Sequence, residues 1–79
     1  MEIKVLGTGC AGCRALHETV TKAVAELGID AAVRKEEDIT VIISYNVLRL
    51  PALVIDGKVV LQGGRPTLEE VKRLLTAES

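Results

Sequence analysis

Two rhythms of apolar residues alternate along this chain. Ile3, Val5 and Leu6 predict a short strand, halted by Gly7-Thr8-Gly9, whose two glycines permit a turn too tight for bulkier residues. From Ala11 to Leu27 the step lengthens to three and four. Leu16, Val20, Ala23, Val24 and Leu27 share one side there, while Glu18, Lys22 and Glu26 stand four apart on another. That pattern is an amphipathic helix, and Gly28 is its stop. Alternation returns in residues 29–35 with Ile29, Ala31 and Val33, predicting a second strand before the charges Arg34, Lys35, Glu36 and Glu37 mark a change of element.

Residues 39–47 admit two readings. Thr40, Val41, Ile42 and Ile43 favour a strand by propensity, whereas Ile39, Ile42, Ile43 and Asn46 or Val47 fit one helical face. A strand there would leave the crossover without its covering helix, so a helix is expected over residues 39–46, with Asp38 as N-cap. After Pro51, Ala52-Leu53-Val54-Ile55 is an unbroken apolar run suited to a strand covered on both faces. Asp56-Gly57 is a hairpin signal, and residues 58–62 supply the returning strand. A loop over residues 63–66 leads to Thr67 and Glu70, spaced as a capping box, and Leu68, Val71, Leu74 and Leu75 give the last helix its buried stripe. The order β-α-β-α-β-β-α joins a parallel strand–helix–strand start to an antiparallel hairpin. The fold class is therefore α/β, a mixed four-stranded sheet with helices on both faces.

Composition narrows the picture. A chain of 79 residues has room for one domain, expected over residues 1–79. With 48 % apolar residues and one Tyr as the only aromatic, its core must be built from Val, Leu, Ile and Ala. The 10 basic and 11 acidic residues are interspersed, so no electrostatic footprint for nucleic acid is present. Apolar runs of about four residues fall far short of the roughly 20 that a membrane helix needs. Met1-Glu2-Ile3-Lys4-Val5 runs straight into a strand without the basic and apolar regions of an export signal, and a cytoplasmic location is expected.

The chemistry lies in Cys10-Ala11-Gly12-Cys13. Thiol–disulfide exchange needs an exposed thiolate to attack and a second thiol near enough to resolve the mixed disulfide. Cys10 is expected at the helix N-cap, where unpaired N–H groups and the positive end of the dipole favour a negative sulfur. Cys13, at about 100° per residue, falls within the apolar arc of Leu16, Val20, Val24 and Leu27. Thiols in such motifs have pKa values of about 3.5 to 7.5, against about 8.5 for free Cys. A structural staple is a poor reason for so short a loop, because closing it removes little unfolded-state entropy. Zinc uses the same spacing but wants more ligands; the chain offers only His17 besides the cysteines, so neither a metal nor another cofactor is expected. His17 stands four residues after Cys13, where it would tune the thiol, complete a metal site with an acidic or shared ligand, or be a half-exposed residue at the edge of the apolar face. Tyr45 is expected to cap the core with its ring and keep its hydroxyl in water.

Gly7-Thr8-Gly9-Cys10-Ala11-Gly12-Cys13 after a first strand, Leu50-Pro51-Ala52 before the third, and the Asp56-Gly57 hairpin together resemble the minimal archaeal and bacterial thioredoxins. The resemblance spans nearly the whole chain. It implies a thioredoxin fold in which Pro51 follows a cis peptide bond and packs beside the cysteines. The backbone at Leu50 and Pro51, with Gly9, would then form the edge where substrates bind. Typical thioredoxins have Trp before the first Cys and Gly-Pro between the two, where this chain has Gly9 and Ala11-Gly12. They also place a buried carboxylate six residues before the first Cys, where this chain has Lys4. If Lys4 points under the cysteines it favours thiolate; if it points to solvent it does nothing to them.

The expected function is thiol–disulfide oxidoreductase, an enzyme reducing protein disulfides and itself served by an upstream, flavin-dependent reductase. Its alternatives are a soft-metal-binding module and a redox sensor using the same two cysteines. Small metal chaperones follow their first helix with a hairpin and end on a strand, whereas this chain ends on Thr67-Leu68-Glu69-Glu70-Val71, a helix start.

Overall fold

The computed structural model describes residues 1–77, so the last two residues of the expected domain lie outside the described residues. The elements are β1 (Glu2–Leu6), α1 (Ala11–Leu27), β2 (Ala32–Glu36), α2 (Ile39–Ser44), β3 (Ala52–Ile55), β4 (Lys58–Gln62) and α3 (Leu68–Ala77). They form one sheet in the order β2-β1-β3-β4. β1 runs parallel to β2 and antiparallel to β3, and β3 is antiparallel to β4.

Side-chain alternation divides the core between the two faces of this sheet. Ile3 and Val5 of β1 and Leu53 and Ile55 of β3 join Leu16, Val20 and Ala23 of α1 and Val71 and Leu75 of α3. On the opposite face Leu6, Ala52 and Val54 meet Ile42 of α2. All four β3 residues are buried, as an apolar run covered on both sides should be.

α1 ends as its sequence predicts. Gly28 adopts φ 64°, and its N–H reaches Val24 O at 3.1 Å and Ala25 O at 3.3 Å. The reciprocal bonds of Thr67 and Glu70 also form: Thr67 N–H donates to Glu70 Oε1 at 3.1 Å, and Glu70 N–H to Thr67 Oγ1 at 3.2 Å. The hydrogen bond from the Thr67 backbone, then that from its hydroxyl, holds the Glu70 carboxyl below its ordinary pKa.

Two boundaries differ from the expectation. The second strand begins at Ala32 rather than residue 29, because its ladder starts only opposite Glu2; Ile29 and Ala31 pack on the core without pairing. Arg34, Lys35 and Glu36 lie inside this strand instead of marking its end, since β2 is a sheet edge and its outward positions face solvent. Residues 39–44 are helical in spite of their β-branched residues. Asp38 Oδ1 accepts Thr40 N–H at 2.9 Å, and Ile42 is the one buried residue of α2. The helix closes two residues before the expected end: Tyr45 and Asn46 N–H groups bond back to Ile42 and Ile43 carbonyls, and Asn46 turns to φ 58°.

Candidate active site

Antiparallel register positions the site before any side chain is considered. Ile3 faces Ile55, and the pairing runs to Leu6 opposite Ala52. One step further would set Gly7 against Pro51, but proline has no N–H to donate, and the ladder stops. Here β1 turns into α1. Gly9, at φ 81°, takes a left-handed conformation that lets the chain reverse into the helix across the four residues between Leu6 and Ala11.

Cys10 is the N-cap of α1, with extended backbone at φ −70° and ψ 164°. Its carbonyl accepts Arg14 N–H at 3.0 Å, and its Sγ accepts Cys13 N–H at 3.1 Å. The Cys13 N–H thus points at this sulfur, and with the positive end of the helix dipole it favours the negative form once the bridge is open. Cys10 and Cys13 are joined as a disulfide, with Cα atoms 5.1 Å apart. Their exposure is unequal: Cys10 is exposed, whereas Cys13 retains 6 % of its surface. The Cys13 sulfur occupies the space that a side chain on Gly7 would fill; a Cβ there would overlap Sγ and stand 2.8 Å from Cys13 Cβ. Beside Cys13 a cavity of 170 Å³ opens toward the end of β2, walled by Gly9, Arg14, Lys35 and Glu37.

Pro51 is buried on the other side of the bridge, and the Leu50–Pro51 peptide is cis. Its Cδ lies 3.7 Å from where a Cβ on Gly12 would stand, so the ring packs on the segment between the two cysteines. Cys10, Cys13, Gly9 and Pro51 thus converge, with Leu50 adjoining through the chain. Lys4 does not join them. It alternates with Ile3 and Val5 and so projects from the α2 face, where its ammonium donates to Tyr45 Oη at 3.4 Å and pairs with Glu2 at 3.7 Å. The Tyr45 hydrogen bond, reinforced by Tyr45 charge and by Glu2 and Glu36, raises the Lys4 pKa. Of the two orientations open to Lys4, the chain adopts the one away from the cysteines. His17 is half-buried a turn beyond Cys13, and its ring makes no hydrogen bond or ion pair among the described residues. No group of three or more His, Cys, Asp or Glu side chains among the described residues is arranged to hold a metal ion.

A family model described as "Thioredoxin domain" matches residues 1–76. The chain belongs to the thioredoxin family. The thioredoxin of Methanothermobacter thermautotrophicus is 38 % identical over 76 residues, covering 96 % of this chain and 99 % of that one. The thioredoxin of Methanocaldococcus jannaschii is 41 % identical over 73 residues, covering 92 % and 84 %. Among solved structures, thioredoxin 1 of Thermosipho africanus superposes with a TM-score of 0.60 over 99 % of this chain and 98 % of that one, at 17 % identity, which speaks to the fold alone. With family membership and the Cys10–Cys13 bridge together, the chain is a thiol–disulfide oxidoreductase. Such an enzyme acts on disulfide-containing substrates and is returned to the dithiol by a reductase. No helix among the described residues is long and apolar enough to cross a membrane.

Sequence reasoning missed two contributors to the site. The sequence marks Gly7 as a turn residue within the Gly7–Cys13 motif, yet its missing side chain seats Cys13. In the sequence Glu37 is one member of a charge run, yet its Oε2 lies 3.4 Å from a Cβ position on Gly9. The parallel β1–β2 register, which sets Leu6 against Glu36, is the signal that would have brought Glu37 alongside the turn.

Proposed function

We propose that this one-domain protein, residues 1–79, reduces protein disulfides in the cytoplasm, with Cys10 attacking and Cys13 resolving. In the first step Cys10 thiolate attacks one substrate sulfur, forming a mixed disulfide, and the other substrate sulfur leaves as a thiolate. Cys13 then gives up its proton and attacks Cys10 Sγ. The second substrate sulfur departs, the Cys10–Cys13 bridge forms, and two electrons have passed to the substrate. A flavin-dependent reductase returns two electrons and two protons to the bridge. Substrate backbone lies along Leu50 and Pro51, with Gly9 on the far side of the exposed sulfur.

The observation that carries this reading is the unequal exposure of the two sulfurs, Cys10 exposed at the helix start and Cys13 at 6 % beneath it. A Cys13→Ser variant incubated with a disulfide-bonded protein such as insulin is expected to accumulate a mixed disulfide through Cys10, while Cys10→Ser accumulates little. Mass spectrometry of the two adducts is the measurement. Equal trapping would overturn the division of labour. The direction of electron flow is read from the reduction potential: values near about −270 mV suit a reductase, and values near about −120 mV would make the protein an oxidant.

A further inference from the structure

The ground beside the disulfide is not electrically uniform. On its β4 side two segments meet, residues 46–51 leading into β3 and residues 62–66 leaving β4, and neither contains an acidic residue. They are tied together by Leu48 N–H donating to Gln62 Oε1 at 2.8 Å and Gly63 N–H to Pro51 O at 2.8 Å. Arg49 lays its stem on Gly63, so closely that a Cβ there would stand 3.1 Å from Arg49 Cδ and 3.2 Å from its Cβ. Arg65 lines a crevice together with Gly12, the residue between the cysteines. Neither arginine forms an ion pair or side-chain hydrogen bond among the described residues. Next to them Leu48 is 91 % exposed, well above Ile43 at 65 % and Ile39 at 53 %.

The β2 side is different. Glu37 faces Gly9 there, among Lys35, Glu36 and Asp38, so its charges are mixed. The bridge sits between these two regions because the sheet order is β2-β1-β3-β4 and the cysteines follow β1.

We propose that residues Leu48, Arg49 and Arg65 form a docking surface for an acidic segment of the protein substrate, which selects among disulfides by the charge that flanks them. This deepens the reductase reading and rests on it. Charge complementarity fixes the occupant. Two guanidinium groups without partners among the described residues present forks suited to carboxylates, and Arg49 is held in place by its packing on Gly63. Leu48 supplies the apolar contact beside them, the pairing of arginine with exposed apolar surface that protein interfaces favour. A substrate chain entering from this side brings its acidic residues over the arginines and its disulfide over Cys10.

The test uses two disulfide-bridged peptides of one core sequence, flanked by Glu in one and by Lys in the other. The ratio of their kcat/KM values is measured on the full-length protein, because that ratio cancels any change in the cysteines' own reactivity. Wild type is expected to favour the Glu-flanked peptide by roughly tenfold at low salt, with the preference fading between about 10 mM and about 0.5 M salt. Arg65→Glu is expected to reduce the ratio, and Arg49→Glu with Arg65→Glu to invert it. Arg65 carries the test alone if the Arg49 change disturbs the packing on Gly63. A wild-type ratio of one, or a ratio that Arg65→Glu leaves unmoved, overturns the inference while the reductase reading stands. Failure of wild type to reduce either peptide overturns the reductase reading itself.

Discussion

Replacing Gly7 by Ala adds one carbon where the fold has reserved space for a sulfur. That Cβ would overlap Cys13 Sγ, stand 2.8 Å from Cys13 Cβ and lie 3.9 Å from its Cα. Carbon atoms pack best at about 3.5–4.0 Å, so the first turn of α1 must retreat by roughly 1 Å. Cys13 cannot swing aside, because it is a helix residue bridged to Cys10. Overpacking of this kind costs about 1–3 kcal/mol. A chain of 79 residues has only about 4–12 kcal/mol of stability in total. With a urea slope of about 1 kcal/mol/M, the unfolding midpoint of the oxidised protein should fall by about 1–3 M. Gly12→Ala is the comparison, since its Cβ would meet Pro51 Cδ at an ordinary 3.7 Å and the position is helical. There the substitution should stabilise by up to about 1 kcal/mol, the helix preference of Ala over Gly. Urea titrations followed by circular dichroism give both numbers. An unchanged midpoint for Gly7→Ala would refute the seating of Cys13 against Gly7, and with it the reason for that sulfur's burial.

Other expected outcomes test the two faces of the sheet. Ile42→Ala removes the one buried side chain of α2 and should cost about 2–5 kcal/mol, whereas Ile43→Ala, 65 % exposed, should stay within about 0.5 kcal/mol in the same urea assay. Thr67→Ala should cost about 1 kcal/mol through loss of the N-cap. Because the folded Glu70 carboxyl is held below its ordinary value of 4.5, its stabilising effect is present above that pH and lost as pH falls through the folded value; Glu70→Gln should flatten that part of the acid limb. Lys4→Met should leave the pH dependence of Cys10 alkylation unchanged, since the ammonium lies on the α2 face; a displaced profile would show that its charge reaches the thiol.

Sequence by itself determined those features whose causes are local. The helix Ala11–Leu27, its Gly28 stop, the Asp56-Gly57 hairpin and the Thr67–Glu70 capping box depend on residues within a few positions of one another, and all stand as read. The exposure difference between Cys10 and Cys13 is of the same kind, because an N-cap residue precedes the helix while Cys13 already lies within its apolar arc.

Tertiary structure decided everything that required a partner. The start of β2 depends on Glu2 being opposite Ala32, thirty positions away, since a strand exists only where its hydrogen bonds are met. For residues 39–44 local propensity and helical periodicity disagree, and the burial of Ile42 against Leu6, Ala52 and Val54 accompanies the helical outcome. The face taken by Lys4 follows from β1 alternation only once Ile3 and Val5 are known to lie under α1. The meeting of Pro51, Gly7 and the two cysteines is likewise a product of the β1–β3 register, which joins segments more than forty residues apart. Local chemistry thus makes the thiol pair, and long-range strand pairing surrounds it with the proline, the cavity and the arginines, because only hydrogen bonds between distant segments can bring those groups to one end of the sheet.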